Sequence, residues 1–192
     1  IPIVIYSVHF ALMKIVKRFL LISILFILST GNNFPKAAKQ KIAGNAEAYQ
    51  CLPCGSDCDK EIFNKPGTCP HCQMKLVKKS TVKFNNIKPT EICDYIREHP
   101  NTVLLDVRTK EEFEGRAEPN FGTLKNAINI PIQELENRLL SIKNLKKKEI
   151  IVFCSHSRRS PQASYLLNQN GFRKIINMSG GMSTMKDSSC IK

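Results

Sequence analysis

The segment Glu149-Ile150-Ile151-Val152-Phe153-Cys154-Ser155-His156-Ser157-Arg158-Arg159-Ser160 constrains this chain more than any other. Its apolar, β-branched run predicts a buried strand over 149–153. A short polar loop follows Cys154, and a helix is expected from Ser160 to Asn168, with Gly171 as its stop. A thiol at the carboxyl end of a buried strand, ahead of a helix N-terminus, sits where loop amides and the helix dipole favour negative charge. The thiolate is the nucleophilic form of cysteine. A cysteine at a strand end also serves as a small core residue, so the remainder of the chain has to decide between chemistry and packing.

Strand and helix patterns alternate from Thr81 to the end. Short strands are expected at 82–84, 103–105, 127–130, 149–153 and 174–178. Helices are expected to open at Lys88-Pro89-Thr90-Glu91, with Ile92, Cys93 and Ile96 on one face, and at Pro131 through about Leu140. Strands separated by helices predict an α/β fold, a parallel sheet with helices on both faces. About 110 residues suffice to bury such a core. Cys93 is expected to be a core residue, and Cys190 lies near the C-terminus as a distant candidate for resolving a sulfur adduct.

Four motifs within 81–192 resemble a single rhodanese domain, the fold of thiosulfate and related sulfurtransferases. Asp106-Val107-Arg108 with Glu112-Phe113 is similar to that family's Asp-Val-Arg signature and its acidic-aromatic sequel. Asn126-Ala127-Ile128-Asn129-Ile130-Pro131 resembles its Gly-Ala-Ile-Asn-Ile-Pro strand, Cys154 to Ser160 its Cys-x-x-Gly-x-Arg-Ser loop, and Gly180-Gly181-Met182 its closing Gly-Gly segment. Ser157 stands where glycine is usual, and Met185 where tryptophan is frequent. The resemblance implies a persulfide on Cys154, formed from a small anionic sulfur donor and passed to a thiol acceptor. It implies that Arg159 and Arg158 attract the donor, that Ser155, His156, Ser157 and Ser160 line the site, and that Asp106 and Arg108 brace the loop by hydrogen bonds. The related phosphatases carry arginine six positions after the cysteine, where this chain has Ser160, so the loop length implies sulfur transfer over phosphate hydrolysis.

Residues 49–78 form a separate cysteine-rich unit. Cys51-x2-Cys54 and Cys69-x2-Cys72 are separated by fourteen residues (55–68), and paired Cys-x-x-Cys knuckles place four sulfurs about a tetrahedral ion. Zinc suits such a site first and copper(I) second. Cys58 and His71 are additional candidate ligands. In an oxidising compartment the same cysteines could instead form disulfides that staple a small core. Tyr49-Gln50-Cys51 together with Lys65-Pro66-Gly67-Thr68-Cys69-Pro70-His71-Cys72-Gln73-Met74 resembles the short heavy-metal-binding domain found beside bacterial metal transporters. Two function classes therefore follow: a sulfurtransferase with a metal-binding module, or a metal-handling or sensing protein whose rhodanese-like domain is a binding module.

The formal net charge of +13 comes from 29 Lys and Arg against 16 Asp and Glu. The lysines are scattered, with Lys146-Lys147-Lys148 the one tight run, and that run sits between a predicted helix and a strand. This distribution argues against a nucleic-acid footprint and suits small anionic substrates or an anionic membrane surface. Met13-Lys14-Ile15-Val16-Lys17-Arg18, the apolar run Phe19 to Leu28, and Ser29-Thr30-Gly31 have the layout of a secretory signal or membrane anchor over 1–31, with 1–12 upstream of a start at Met13. Residues 32–48 read as a linker. The expected location is exported, periplasmic or anchored at the inner membrane. Expressed in a bacterium from Met13, the chain should fractionate outside the cytoplasm or with the inner membrane; recovery of the full-length chain from the soluble cytoplasm would refute the secretory reading.

Overall fold

The computed structural model describes residues 47–192. The expected signal segment 1–31 and the linker up to residue 46 lie outside the described residues. Among those described, Tyr49–Gln50 (β1) pairs antiparallel with Val77–Lys78 (β2) around the cysteine-rich unit. A second sheet follows, built from Asn85–Ile87 (β3), Val103–Asp106 (β4), Ile128–Asn129 (β5), Glu149–Phe153 (β6) and Lys174–Met178 (β7). Its order is β3-β7-β6-β4-β5, and every pairing is parallel. The helices are Ile92–Glu98 (α1), Lys110–Phe113 (α2), Ile132–Arg138 (α3) and Arg159–Gln169 (α4). This is the expected α/β architecture, a parallel sheet whose strands are separated by helices.

β6 lies second from neither edge because its side chains are apolar on both faces, the pattern of a central parallel strand. Ile150 and Val152 project into one cluster with Leu105, Ile175, Leu135 and Leu167. Ile151 and Phe153 project into another, with Leu104, Ile92, Met178 and Leu124. The strand period of two thus divides the core, and Cys154 keeps the phase of Ile150 and Val152. Cys51, Leu52, Cys54, Met74 and Leu76 belong to that same first cluster. The cysteine-rich unit therefore packs on the sheet face from which Cys154 emerges.

α4 ends where the sequence predicts: Asn170 caps it, and Gly171 follows at φ +85° in the left-handed region. The first strand differs from expectation. Val82-Lys83-Phe84 is not a strand, because a 3-10 turn over Lys79–Thr81 precedes it, closed by the Thr81 hydroxyl on the Lys78 carbonyl at 2.7 Å. The chain pairs three residues later, where Asn86 Oδ1 accepts a 2.9 Å hydrogen bond from Asn177 Nδ2. Two asparagines in an edge strand give a weak periodic signal, which is why the pattern misplaced it.

Cys93 is a core residue as expected, but its bond to Cys190 differs from the sequence reading and removes Cys190 as a free thiol. The two form a disulfide between α1 and the C-terminal segment, with Cα atoms 5.4 Å apart. Around it the last residues pair with the 123–125 backbone: the Lys192 amide donates to the Thr123 carbonyl at 2.8 Å, and the Lys125 amide donates to the Cys190 carbonyl at 2.9 Å. Cys51, Cys54, Cys58, Cys69, Cys72 and Cys154 are free. Of the eight cysteines in the chain, six should therefore titrate in chelator-treated, unfolded, unreduced protein, and all eight after reduction. Cys190→Ser should lower unfolding stability in urea by about 2 to 4 kcal/mol, the usual worth of a bridge across a long chain segment. Eight thiols before reduction would refute the bridge.

Candidate active site

Cys154 leaves the end of β6 fully buried, its sulfur 3.5 Å from the Ser160 hydroxyl at the start of α4. The loop between them is held from outside. The Met182 amide donates to the Cys154 carbonyl at 2.8 Å, and the Ser183 amide donates to the Ser155 carbonyl at 3.0 Å. Because a trans peptide places its N–H opposite its C=O, tying these carbonyls to the 181–183 segment turns the amides of Ser155 and His156 the other way. Among the described residues, the amides of 155–158 have no acceptor. Such orphan donors ahead of a helix N-terminus favour an anion.

The close approach requires Gly181. It sits at φ +73°, and a Cβ there would lie 2.4 Å from the Ser155 carbonyl oxygen and 2.6 Å from that of Cys154. Ser157, in the position where glycine is usual, adopts φ +55°. A serine there carries the roughly 1 to 2 kcal/mol cost of a left-handed conformation that glycine would avoid. Its hydroxyl is buried without a hydrogen-bond partner. Asn126, the other replacement for glycine, is also left-handed at φ +63°, a conformation that asparagine tolerates well.

Glu112 organises the loop's charge. Thr109 and Glu112 form a capping box at α2, with reciprocal bonds between side chains and amides at 3.0 and 3.3 Å. The fixed carboxylate accepts from Ser155 Oγ at 2.6 Å and from the two terminal nitrogens of Arg159 at 2.5 and 2.7 Å. The sequence reading gave Glu112 no role beyond its motif, although Thr109-x-x-Glu112 was legible as a cap. The guanidinium of Arg159, expected to attract the donor, is engaged here by a bidentate carboxylate. Arg158 and His156 are the exposed members of the loop, and His156 stands edge-on to Phe121 with ring centroids 5.4 Å apart.

Asp106 and Arg108 form a fully buried fork, with Arg108 Nη2 2.7 Å from Asp106 Oδ2. It braces a different segment from the one expected. Arg108 donates to the Gly122 carbonyl at 2.8 Å, and the Thr123 hydroxyl donates to Asp106 at 3.0 Å. Strand parity is the reason: Asp106 follows the phase of Leu104 and pairs in register with Phe153, so it faces the core opposite to that of Cys154.

In the cysteine-rich unit the sulfurs of Cys51, Cys54, Cys58 and Cys72 all lie within 4.8 Å of one another. A Zn–S bond of about 2.3 Å sets the sulfur–sulfur edge of a tetrahedron at about 3.8 Å. Cys54 and Cys58 stand 3.8 Å apart, and Cys51 and Cys72 3.1 Å. The quartet fits a thiophilic metal ion. Its membership differs from the two-knuckle expectation, because the turn over Asp57–Lys60 brings Cys58 back against Cys54. The buried Cys69 lies outside this quartet. Burial pushes its thiol up, but amide bonds from Cys72 and His71 outweigh this and bring it down to about 7. Burial pushes the Cys51, Cys54 and Cys58 thiols up. His71 faces outward and pairs with Glu61 at 2.8 Å.

Hydrogen bonds from Arg159, then from Ser155 and the Thr109 amide, hold the Glu112 carboxyl down at about 2 against an ordinary 4.5. A carboxyl depressed in the folded state contributes stability that is present above about pH 4.5 and lost as pH falls through about 2. For this mostly buried pair the contribution is on the order of 2 to 3 kcal/mol. Glu112→Gln should reduce urea stability by about that amount at pH 7, and the gap from wild type should narrow between pH 4.5 and 2. A gap that does not change with pH would refute the assignment.

The rhodanese-like domain profile matches residues 89–188. Among curated proteins, the chain is 33% identical over 119 residues to a probable molybdopterin-synthase adenylyltransferase of Porphyra purpurea, covering 58% of this chain and 29% of that protein. It is 29% identical over 127 residues to a tRNA uridine(34) hydroxylase of Buchnera aphidicola, covering 57% and 38%. It is also 26% identical over 98 residues to a sulfurtransferase of Allochromatium vinosum, covering 51% of this chain and 84% of that protein. Among solved structures, a rhodanese-related protein from Thermoplasma volcanium aligns with a TM-score of 0.44 at 30% identity, over 53% of this chain and 89% of that one. The chain thus spans well under half the length of the first two of these relatives.

Proposed function

The chain belongs to the rhodanese-like domain family, and on that premise we propose that it is an exported sulfurtransferase carrying sulfane sulfur on Cys154. The observation that carries this reading is the junction of a buried thiol, unengaged loop amides and the start of α4. The donor is a small anion of the thiosulfate kind. The Cys154 thiolate attacks the outer sulfur, the donor's sulfur–sulfur bond breaks, and sulfite leaves with the bonding electron pair. The product is a Cys154 persulfide, whose negative terminal sulfur the amides of 155–158 and the helix start stabilise. An acceptor thiolate then attacks that terminal sulfur and releases the Cys154 thiolate.

Within this reading the two arginines divide the work. Arg158, exposed and free of a carboxylate partner among the described residues, draws in the anionic donor. Arg159 is a positioning residue, which locks Glu112 and Ser155 against the loop. Ser160 contacts the sulfur, and His156 with Phe121 borders the entrance. The cysteine quartet favours a second element, a structural zinc ion at Cys51, Cys54, Cys58 and Cys72, with copper(I) the next fit for an all-thiolate set. A metal-handling protein that uses the rhodanese-like domain only for binding is the competing reading.

Incubation with thiosulfate should add one sulfur, about 32 Da by the chemistry of persulfide formation, to the peptide that contains Cys154. Cyanide should remove it as thiocyanate. Cys154→Ser should abolish turnover and leave the fold intact. Arg158→Ala should lower kcat/KM for thiosulfate by roughly tenfold, the effect of losing one charge-assisted contact. Full turnover in Cys154→Ser, or sulfur mapping to a cysteine of the 51–72 unit, would overturn the reading.

A further inference from the structure

The cysteine quartet and the Cys154 loop are joined by a short, continuous line of contacts. Cys54 is one member of the quartet, and Gly55 follows it at φ +86°. At Gly55 a Cβ would lie 2.9 Å from Ser179 Cβ and 3.6 Å from the Gly180 amide nitrogen, so the knuckle rests directly on the 179–180 backbone. The next residue, Gly181, lies against the carbonyls of Cys154 and Ser155, and Met182 and Ser183 hydrogen-bond them. A second strut runs in parallel. Asn177, wholly buried in β7, donates 3.0 Å to the carbonyl of Pro53, between Leu52 and Cys54, and pairs in register with Val152, two residues before Cys154.

The knuckle is fixed from its other side as well. The amides of Cys54 and Gly55 both donate to the Asp59 carboxylate, at 3.0 and 2.7 Å. Asp59 neighbours Cys58, so an ion shared by Cys54 and Cys58 would clamp both ends of the 54–59 turn. Besides the ion, this turn is held by the Asp59 carboxylate, by one backbone bond from the Asp59 amide to the Ser56 carbonyl at 3.0 Å, and by sulfur contacts that carry no covalent bond.

We infer that a soft metal ion held by Cys51, Cys54, Cys58 and Cys72 is the prop of the Cys154 loop. By fixing the Pro53–Gly55 turn, it holds residues 179–183, which turn the loop amides toward the sulfur. The inference rests on the zinc and sulfurtransferase readings above and adds the ligand set and the mechanical link. Cys69, whose thiol touches those of Cys51 and Cys72 but which lies outside the mutually close quartet, is assigned to the border of the site and not to the ligand set.

The test uses the full chain, loaded with cobalt(II) or zinc and then stripped by chelator. The cobalt–thiolate absorption of a four-sulfur site should survive Cys69→Ser and be lost or recast in Cys58→Ser; the reverse result would overturn the ligand set. Amide hydrogen exchange, read by mass spectrometry, should speed up at least tenfold over 179–185, which includes the Met182 and Ser183 amides that hold the loop, on stripping, with 132–138 unchanged. Asn177→Ala, which cuts one strut and leaves every thiol, should keep the cobalt spectrum but raise exchange at 179–183. Unchanged exchange in both the stripped protein and Asn177→Ala would overturn the link. These readouts do not depend on turnover: loss of persulfide formation with normal metal-dependent exchange would count against the sulfurtransferase reading and leave the prop standing.

Discussion

The loop that carries Cys154 is shaped by two hydrogen bonds it receives from the 182–183 backbone, and most of the architecture serves to make them. A loop cannot aim its amides at one point unless its carbonyls are satisfied elsewhere. Here the carbonyls of Cys154 and Ser155 are taken by Met182 and Ser183. The approach needs a residue without a side chain, and Gly181 supplies it. It also needs β7 beside β6, so that the chain leaving Met178 passes over the end of the neighbouring strand. The parallel order β7-β6-β4 is thus the geometric condition for the amide arrangement and not only a way to bury Val, Ile and Leu.

Charge around the loop follows the same logic of prior engagement. An unpartnered Arg159, partly buried beside a thiol, would be costly to desolvate. Glu112 offsets that cost by bidentate contact, and the capping box at Thr109 holds the carboxylate in place for it. The pair is locally neutral, which leaves Arg158, one residue away and in solvent, as the arginine of the loop without a carboxylate partner among the described residues. Two adjacent arginines with similar sequence signals therefore have different environments, and only their side of the helix start decides which is which.

Much of this was legible in the sequence. The β6 run, the α4 start and its glycine stop, and the last strand carry strong local signals, and they stand where the pattern placed them. The elements that were misread are those set by a distant partner or by a short 3-10 turn that leaves no periodic signal. β3 is set by an asparagine pair reaching across to β7. The Cys93–Cys190 bridge spans 97 positions, and neither residue carries a local sign of the other. Cys58 joins the quartet only because a single 3-10 turn folds it back. Asp106 and Arg108 were recognised as a rigid fork, but strand parity, which directs the fork away from the loop, depends on where β4 ends.

The cysteine-rich unit shows how a segment of about thirty residues avoids needing a core of its own. Chains this short generally require metals or disulfides to fold. Leu52, Met74 and Leu76 instead pack into the cluster that holds Leu105, Val152 and Ile175, so much of the unit's apolar burial is borrowed from the sheet. Ligation then has less to supply for folding than in an isolated zinc knuckle, where the apo form is unfolded outright. What remains for the sulfurs to determine is the local path of the 51–59 backbone, whose few polar anchors include the Asp59 carboxylate, Asn177 and the bond from the Asp59 amide to the Ser56 carbonyl. A small module with a shared core and its own ligand group is, on physical grounds, better suited to setting the position of its neighbour than to holding itself together.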